Sequence, residues 1–133
     1  MDQPIILIID DDKFWRSLLA RFLTSSKYTV HSAGSCTEGI ALAGLHRPDC
    51  ILLDYHLKDG DASDVCRSVR GSEEIKDTPI IILSSDPLAE ESAYLDCSAE
   101  KFILKGEPMA NIRLAMGNII AASALRAKRH KSG

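Results

Sequence analysis

Five short apolar runs punctuate the chain, at residues 5–9, 28–33, 50–53, 80–83 and 102–104. Each is rich in Ile, Val or Leu or carries a β-branched or aromatic residue, and most lack polar alternation. Continuous runs of this length predict strands buried on both faces, as in a parallel sheet. Helical spacings lie between them. Phe14, Leu18, Leu19, Phe22 and Leu23 form the first candidate stripe. Ser35-Cys36-Thr37-Glu38 reads as a capping box, followed by Ile40, Ala43 and Leu45. Val65 and Val69 mark a weaker third helix. Asp86-Pro87 reads as a cap with proline at the first helical position, followed by Leu88, Ala89 and Ala93. A fifth helix is predicted from Pro108, with a stripe of Met109, Ile112, Met116, Ile119, Ile120 and Ser123. Strand and helix alternate five times. This predicts right-handed βαβ units and a five-stranded, doubly wound parallel sheet in a three-layer α/β/α sandwich. The apolar stripe ends at Arg126, so residues 1–125 are read as the domain and 126–133 as a basic tail expected to fray.

Composition narrows the classes. The 133 residues are 45% apolar and 26% charged, which fits one globular domain. A net charge of −3 argues against a general nucleic-acid binder. The balance is uneven, however. Residues 1–107 hold 11 Lys and Arg against 19 Asp and Glu, whereas residues 108–133 hold five basic residues and no acid. No apolar run approaches the roughly 20 residues of a membrane span. The opening Met-Asp-Gln-Pro lacks the basic segment of a secretory signal. Cys36, Cys50, Cys66 and Cys97 show no metal-binding or C-x-x-C spacing, so they are read as small buried hydrophobes in a reducing cytoplasm.

In open α/β sheets, ligands bind beyond the carboxyl ends of the strands. The residues that directly follow the strands are therefore the candidate chemistry. Asp10, Asp11 and Asp12 follow the first, Asp54 the third, Ser84 and Ser85 close the fourth, and Lys105 follows the fifth. Clustered carboxylates repel one another unless a cation joins them. Hard oxygen donors without Cys or His point to Mg²⁺. A lysine and a hydroxyl facing that ion suit the remaining oxygens of a phosphoryl group.

The chain resembles the receiver domain of two-component response regulators over about residues 4–124. The resemblance rests on Ile5-Ile6-Leu7-Ile8-Ile9-Asp10-Asp11-Asp12, Arg47-Pro48-Asp49-Cys50-Ile51-Leu52-Leu53-Asp54, Thr78-Pro79-Ile80-Ile81-Ile82-Leu83-Ser84-Ser85 and Lys101-Phe102-Ile103-Leu104-Lys105. It implies a flavodoxin-like strand order of 2-1-3-4-5. It implies Asp54 as a phosphoacceptor forming an aspartyl phosphate. Mg²⁺ would be held by Asp11, Asp54 and the backbone carbonyl of His56, with Asp10 acting through water. Lys105 would pair with a phosphoryl oxygen. Ser84 would close on the phosphoryl group, and Phe102 would turn inward as the aromatic switch. Asp12 is read only as a helix cap. His56 and Asp86, two residues after Asp54 and Ser84, would tune the lifetime of the phosphoryl group.

The implied partner is a sensor histidine kinase or a histidine phosphotransfer protein. The downstream partner stays open, as does the choice between a monomer and a phosphorylation-dependent dimer. Two departures stand out. Gly106 follows Lys105 where the family usually has a cis-proline, so a trans bond is expected. Lys58 and Ala62 stand where proline and glycine are common, leaving Gly60 as the loop's flexible point. Two other functions fit part of this residue set. A haloacid-dehalogenase-like phosphatase would use Asp10-Asp11-Asp12, Ser84 and Lys105, but it needs a late acidic pair, and no acid follows Glu107. A phosphate-independent receiver-fold module would leave Asp10, Asp11, Asp54, Ser84 and Lys105 without a use.

Overall fold

The computed structural model describes residues 3–132, with side chains through 129. Five strands alternate with five helices: β1 Ile5–Ile9, α1 Lys13–Ser25, β2 Thr29–Ala33, α2 Cys36–His46, β3 Cys50–Asp54, α3 Ala62–Arg70, β4 Ile80–Ser84, α4 Glu90–Leu95, β5 Lys101–Leu104 and α5 Met109–Ser132. A two-residue hairpin, His56–Leu57 against Gly60–Asp61, sits between β3 and α3. The five strands pair in parallel in the order β2-β1-β3-β4-β5. The chain goes out from β1 to β2 and returns to β3, so the order reverses beside β1 and β3.

The apolar runs divide their side chains between two cores. Leu7, Ile9, Ile51, Leu53, Ile80 and Ile82 pack toward α2, α3 and α4. Ile6, Ile8, Leu52, Ile81 and Leu83 pack toward α1 and α5. This burial on both faces is why the strands read as continuous apolar runs rather than alternating ones. Helix α2 lies so close to β1 that a Cβ at Gly39 would meet Ile9 at 2.6 Å. At the amino ends of β4 and β5, the guanidinium of Arg70 donates to the carbonyls of Lys76, Thr78 and Ser98 and to Glu100.

Several local readings need correction. In α1, Leu19 and Leu23 are buried, with Trp15 and Phe22 at the margin, while Phe14 is 78% exposed and Leu18 is also exposed. The true stripe lies one residue further round the helix than Phe14 and Leu18 suggest. Leu45 is exposed for the same reason, because Gly39 and Ala43 make the α2 contact. Ser35 Oγ accepts from the Glu38 N–H at 3.1 Å, but Glu38 returns to the N–H of Gly34, not of Ser35. The reciprocal capping box belongs instead to α3, between Asp61 and Asp64. Asp86 caps a 3₁₀ turn, Pro87–Ala89, and α4 begins only after it. Helix α5 continues through the basic segment to Ser132. Ala, Arg and Lys are strong helix formers and need no buried stripe to carry on an established helix. All four cysteines are free and buried.

Candidate functional site

The carboxyl edge of the sheet collects the charged side chains. Asp10 follows β1 at the point of reversal and is 4% exposed; Asp54 ends β3 and is 8% exposed. One carboxylate oxygen each from Asp10, Asp11 and Asp54 lies within 4.8 Å of the others. That is a donor set for a hard cation, built from oxygen alone. Asp10 is committed on both oxygens: Oδ1 accepts from the Asp12 N–H at 2.8 Å, and Oδ2 accepts from Lys105 Nζ at 2.7 Å. Asp11 is partly exposed, and its charge also acts on Asp54. Asp12 faces the other way and caps α1, accepting from the N–H groups of Phe14 and Trp15.

Asp54 carries the electrostatic signature of the site. Burial and then the charge of Asp10 push its carboxyl up to about 6, against the pull of Lys105 Nζ at 3.5 Å. One ammonium among three carboxylates leaves the cluster short of positive charge, which is the condition a bound cation relieves. Lys105 is held from several sides. Its N–H donates to the Ser84 carbonyl at 2.9 Å, and its ammonium lies 5.4 Å from the centre of the Trp15 ring. The Lys105–Gly106 bond is trans.

Ser84 is buried, and its Oγ accepts from the Asp86 N–H at 3.0 Å. That bond leaves the hydroxyl proton free to donate. His56 Nε2 and Asp86 Oδ2 meet at 3.4 Å, joining the loops after β3 and β4. His56 is exposed and Asp86 half-buried, so the pair is open to solvent and adds little to stability. Phe102, expected to turn inward on signalling, is already buried, in the same core as Ala89 and Ala93. Its N–H, on an edge strand, donates to Tyr94 Oη at 3.0 Å.

Sequence reasoning missed three residues here. Trp15 flanks Lys105, Tyr94 closes the free edge of β5, and Asp59 ties the loop after Asp54 to α2. Trp15 alone left a signal, one turn after Asp11 in the sequence.

The family model for the response regulator receiver domain matches residues 6–116. Response regulator MprA of Mycobacterium tuberculosis is 35% identical over 101 residues, which cover 75% of this chain and 43% of that protein. The chain thus spans less than half the length of the curated relatives it matches. A putative response regulator from Chloroflexus aurantiacus has a similar structure, with a TM-score of 0.84 at 25% identity over 90% of this chain and 99% of that one. A CheY-like receiver domain protein from Methanospirillum hungatei shares the fold, with a TM-score of 0.86 at 18% identity over 94% and 99%.

Proposed function

The chain belongs to the response regulator receiver domain family, and from that premise we propose that it is a phosphorylation-dependent signalling module with Asp54 as its phosphoacceptor. The family works in two-component signalling, with a histidine kinase as its general partner, rather than as enzymes. The observation that carries the reading is the meeting of buried Asp54 with Asp10, Asp11 and Lys105 at the carboxyl edge of the sheet.

In the proposed step, a carboxylate oxygen of Asp54 attacks the phosphorus of a phosphohistidine on the kinase or a phosphotransfer protein. The new P–O bond forms as the P–N bond breaks, and the imidazole leaves. Asp11, Asp54 and the His56 carbonyl would hold Mg²⁺, which offsets the charge of the phosphoryl oxygens when bound. Asp10, with both oxygens taken, stands behind that set and orients Lys105. The Lys105 ammonium, already 3.5 Å from Asp54, would pair with a phosphoryl oxygen. The Ser84 hydroxyl would donate to another, and its shift would be passed to Phe102. The readout surface would be formed by α4, β5 and α5, where Tyr94, Leu95 and Leu114 are exposed. His56 and Asp86, paired across the loops that follow Asp54 and Ser84, would set the lifetime of the phosphoryl group.

Acetyl phosphate with Mg²⁺ should add the mass of one phosphoryl group to the protein, and Asp54→Ala should abolish the addition. In the same assay, His56→Ala and Asp86→Ala should change the decay rate of the adduct several-fold. An adduct that survives Asp54→Ala would overturn the assignment, and parental decay in both other variants would overturn the tuning role.

A further inference from the structure

Helix α2 is capped from two places. Ser35, next to it in sequence, satisfies the N–H of Glu38. The first two N–H groups, of Cys36 and Thr37, are satisfied instead by Asp59, from the loop that follows Asp54. Its Oδ1 accepts from the Cys36 N–H at 2.8 Å, and its Oδ2 accepts from the Thr37 N–H and hydroxyl, each at 3.2 Å. A carboxylate at this helix end is favoured by the dipole and by the unpaired N–H groups.

The loop carrying Asp59 is tied at several points between the site and this cap, and Gly60, read from the sequence as its flexible point, is held among those ties. Its base begins at Tyr55, directly after Asp54, where the Tyr55 carbonyl accepts from the Ala62 N–H at 2.8 Å. Paired bridges join His56 to Asp61 and Leu57 to Gly60. Gly60 sits at φ +156°, and a Cβ there would meet Asp64 Oδ2 at 2.5 Å and Cys36 Sγ at 3.3 Å. The Cys36 thiol also reaches the Asp61 carbonyl at 3.7 Å. His56 is thus held at the base of a short hairpin whose tip is bolted to α2.

We propose that Asp59 is a positioning residue for the Mg²⁺ site: by clamping the hairpin tip to the α2 amino terminus, it fixes the main chain at His56 against Asp11 and Asp54. This rests on the cation-binding reading given above. The same N–H donors pull the Asp59 carboxyl down to about 2, which favours the ionised form that the clamp uses.

Ser35→Ala supplies the control, since it removes a cap from the same helix without touching the loop. Mg²⁺ titrations of the full chain, by calorimetry and by the fluorescence of Trp15, its single tryptophan, would compare the parent with Asp59→Ala, Asp59→Asn and Ser35→Ala. Asp59→Ala is expected to weaken Mg²⁺ binding about tenfold. Asp59→Asn, which keeps one acceptor, should fall between it and the parent. Ser35→Ala should keep parental affinity, although its melting temperature also drops. Unchanged affinity in Asp59→Ala, or equal weakening in Ser35→Ala, overturns the clamp while leaving the cation site intact. A parent that does not bind Mg²⁺ overturns the cation site, and the clamp with it.

Discussion

Asp54 has one ammonium and two carboxylates for company, and that imbalance has a consequence for stability. Its carboxyl is raised to about 6, so the folded chain holds a proton that the unfolded chain has already lost. As pH rises from the ordinary carboxylate range to about 6, stability from this group falls, and the loss is complete above that window. Removing the charge should therefore stabilise the protein. Asp54→Asn is expected to gain on the order of 1–3 kcal/mol at about pH 8 in the presence of a chelator. The gain should vanish at about pH 3 and below, where Asp54 is protonated in both states, and shrink when Mg²⁺ is added at pH 8. Urea denaturation at the two pH values would test this, and a less stable Asn variant at pH 8 would contradict it. The residues behind this chemistry were legible because Asp10, Asp54, Ser84 and Lys105 each directly follow an apolar run and Asp11 comes next after Asp10. Asp59 was not, because its partners lie 22 and 23 residues earlier in the chain. No periodicity or motif encodes a contact set by how two loops fold toward each other.

The helices differ in how firmly they are specified. Helix α3 was legible only through Val65 and Val69, yet Ala62 and Cys66 complete its buried face and Asp61–Asp64 closes its capping box. Small residues filled positions that the search for large apolar ones passed over. Helix α4 is the opposite case. It has six residues, no side-chain cap of its own and one buried residue, Ala93. A helix this short gains little beyond its nucleation cost and depends on its attachments. Tyr94 Oη supplies one by accepting the Phe102 N–H of the edge strand. Amides of α4 should therefore exchange with solvent faster than those of α2 and α3. Tyr94→Phe, which removes only the hydroxyl, should speed exchange at Phe102 about tenfold, the equivalent of one hydrogen bond. Hydrogen exchange read by NMR resolves both, and uniform protection across the three helices would refute the ranking. A loosely attached element beside Phe102 is what the proposed readout surface requires, since a switch needs a part that moves at low cost.

At the scale of the molecule, the charge split becomes a separation in space. Helix α5 leaves the carboxyl edge of the sheet and runs back past its amino edge. Its 24 residues span about 36 Å at 1.5 Å per residue, about twice the roughly 17 Å of a five-residue strand. Ile112 and Met116 anchor it, while every described side chain from Ala124 to Arg129 is exposed. Arg126 reaches the basal region, where a cavity of about 730 Å³ is lined by Arg70, Lys76, Asp77, Glu100 and Ser123 as well. That cavity carries both signs of charge and lies at the opposite end of the sheet from the Asp cluster. The described part of the basic segment is therefore too far away to neutralise Asp10, Asp11 and Asp54; among the described residues, Lys105 pairs with the Asp10 and Asp54 carboxylates and Arg16 Nη1 donates to the Asp10 carbonyl at 2.6 Å. Truncation after Leu125 should test this directly. It is expected to change unfolding free energy by less than about 1 kcal/mol, as for exposed positions generally, and to leave Mg²⁺ affinity unchanged. A loss of several kcal/mol would place the segment in the basal packing around Arg70. A change in Mg²⁺ affinity would mean that the two ends of the sheet are coupled. Unchanged affinity would mean that the site's shortage of positive charge is local, and that the cation meeting it comes from solution rather than from the chain's own basic residues.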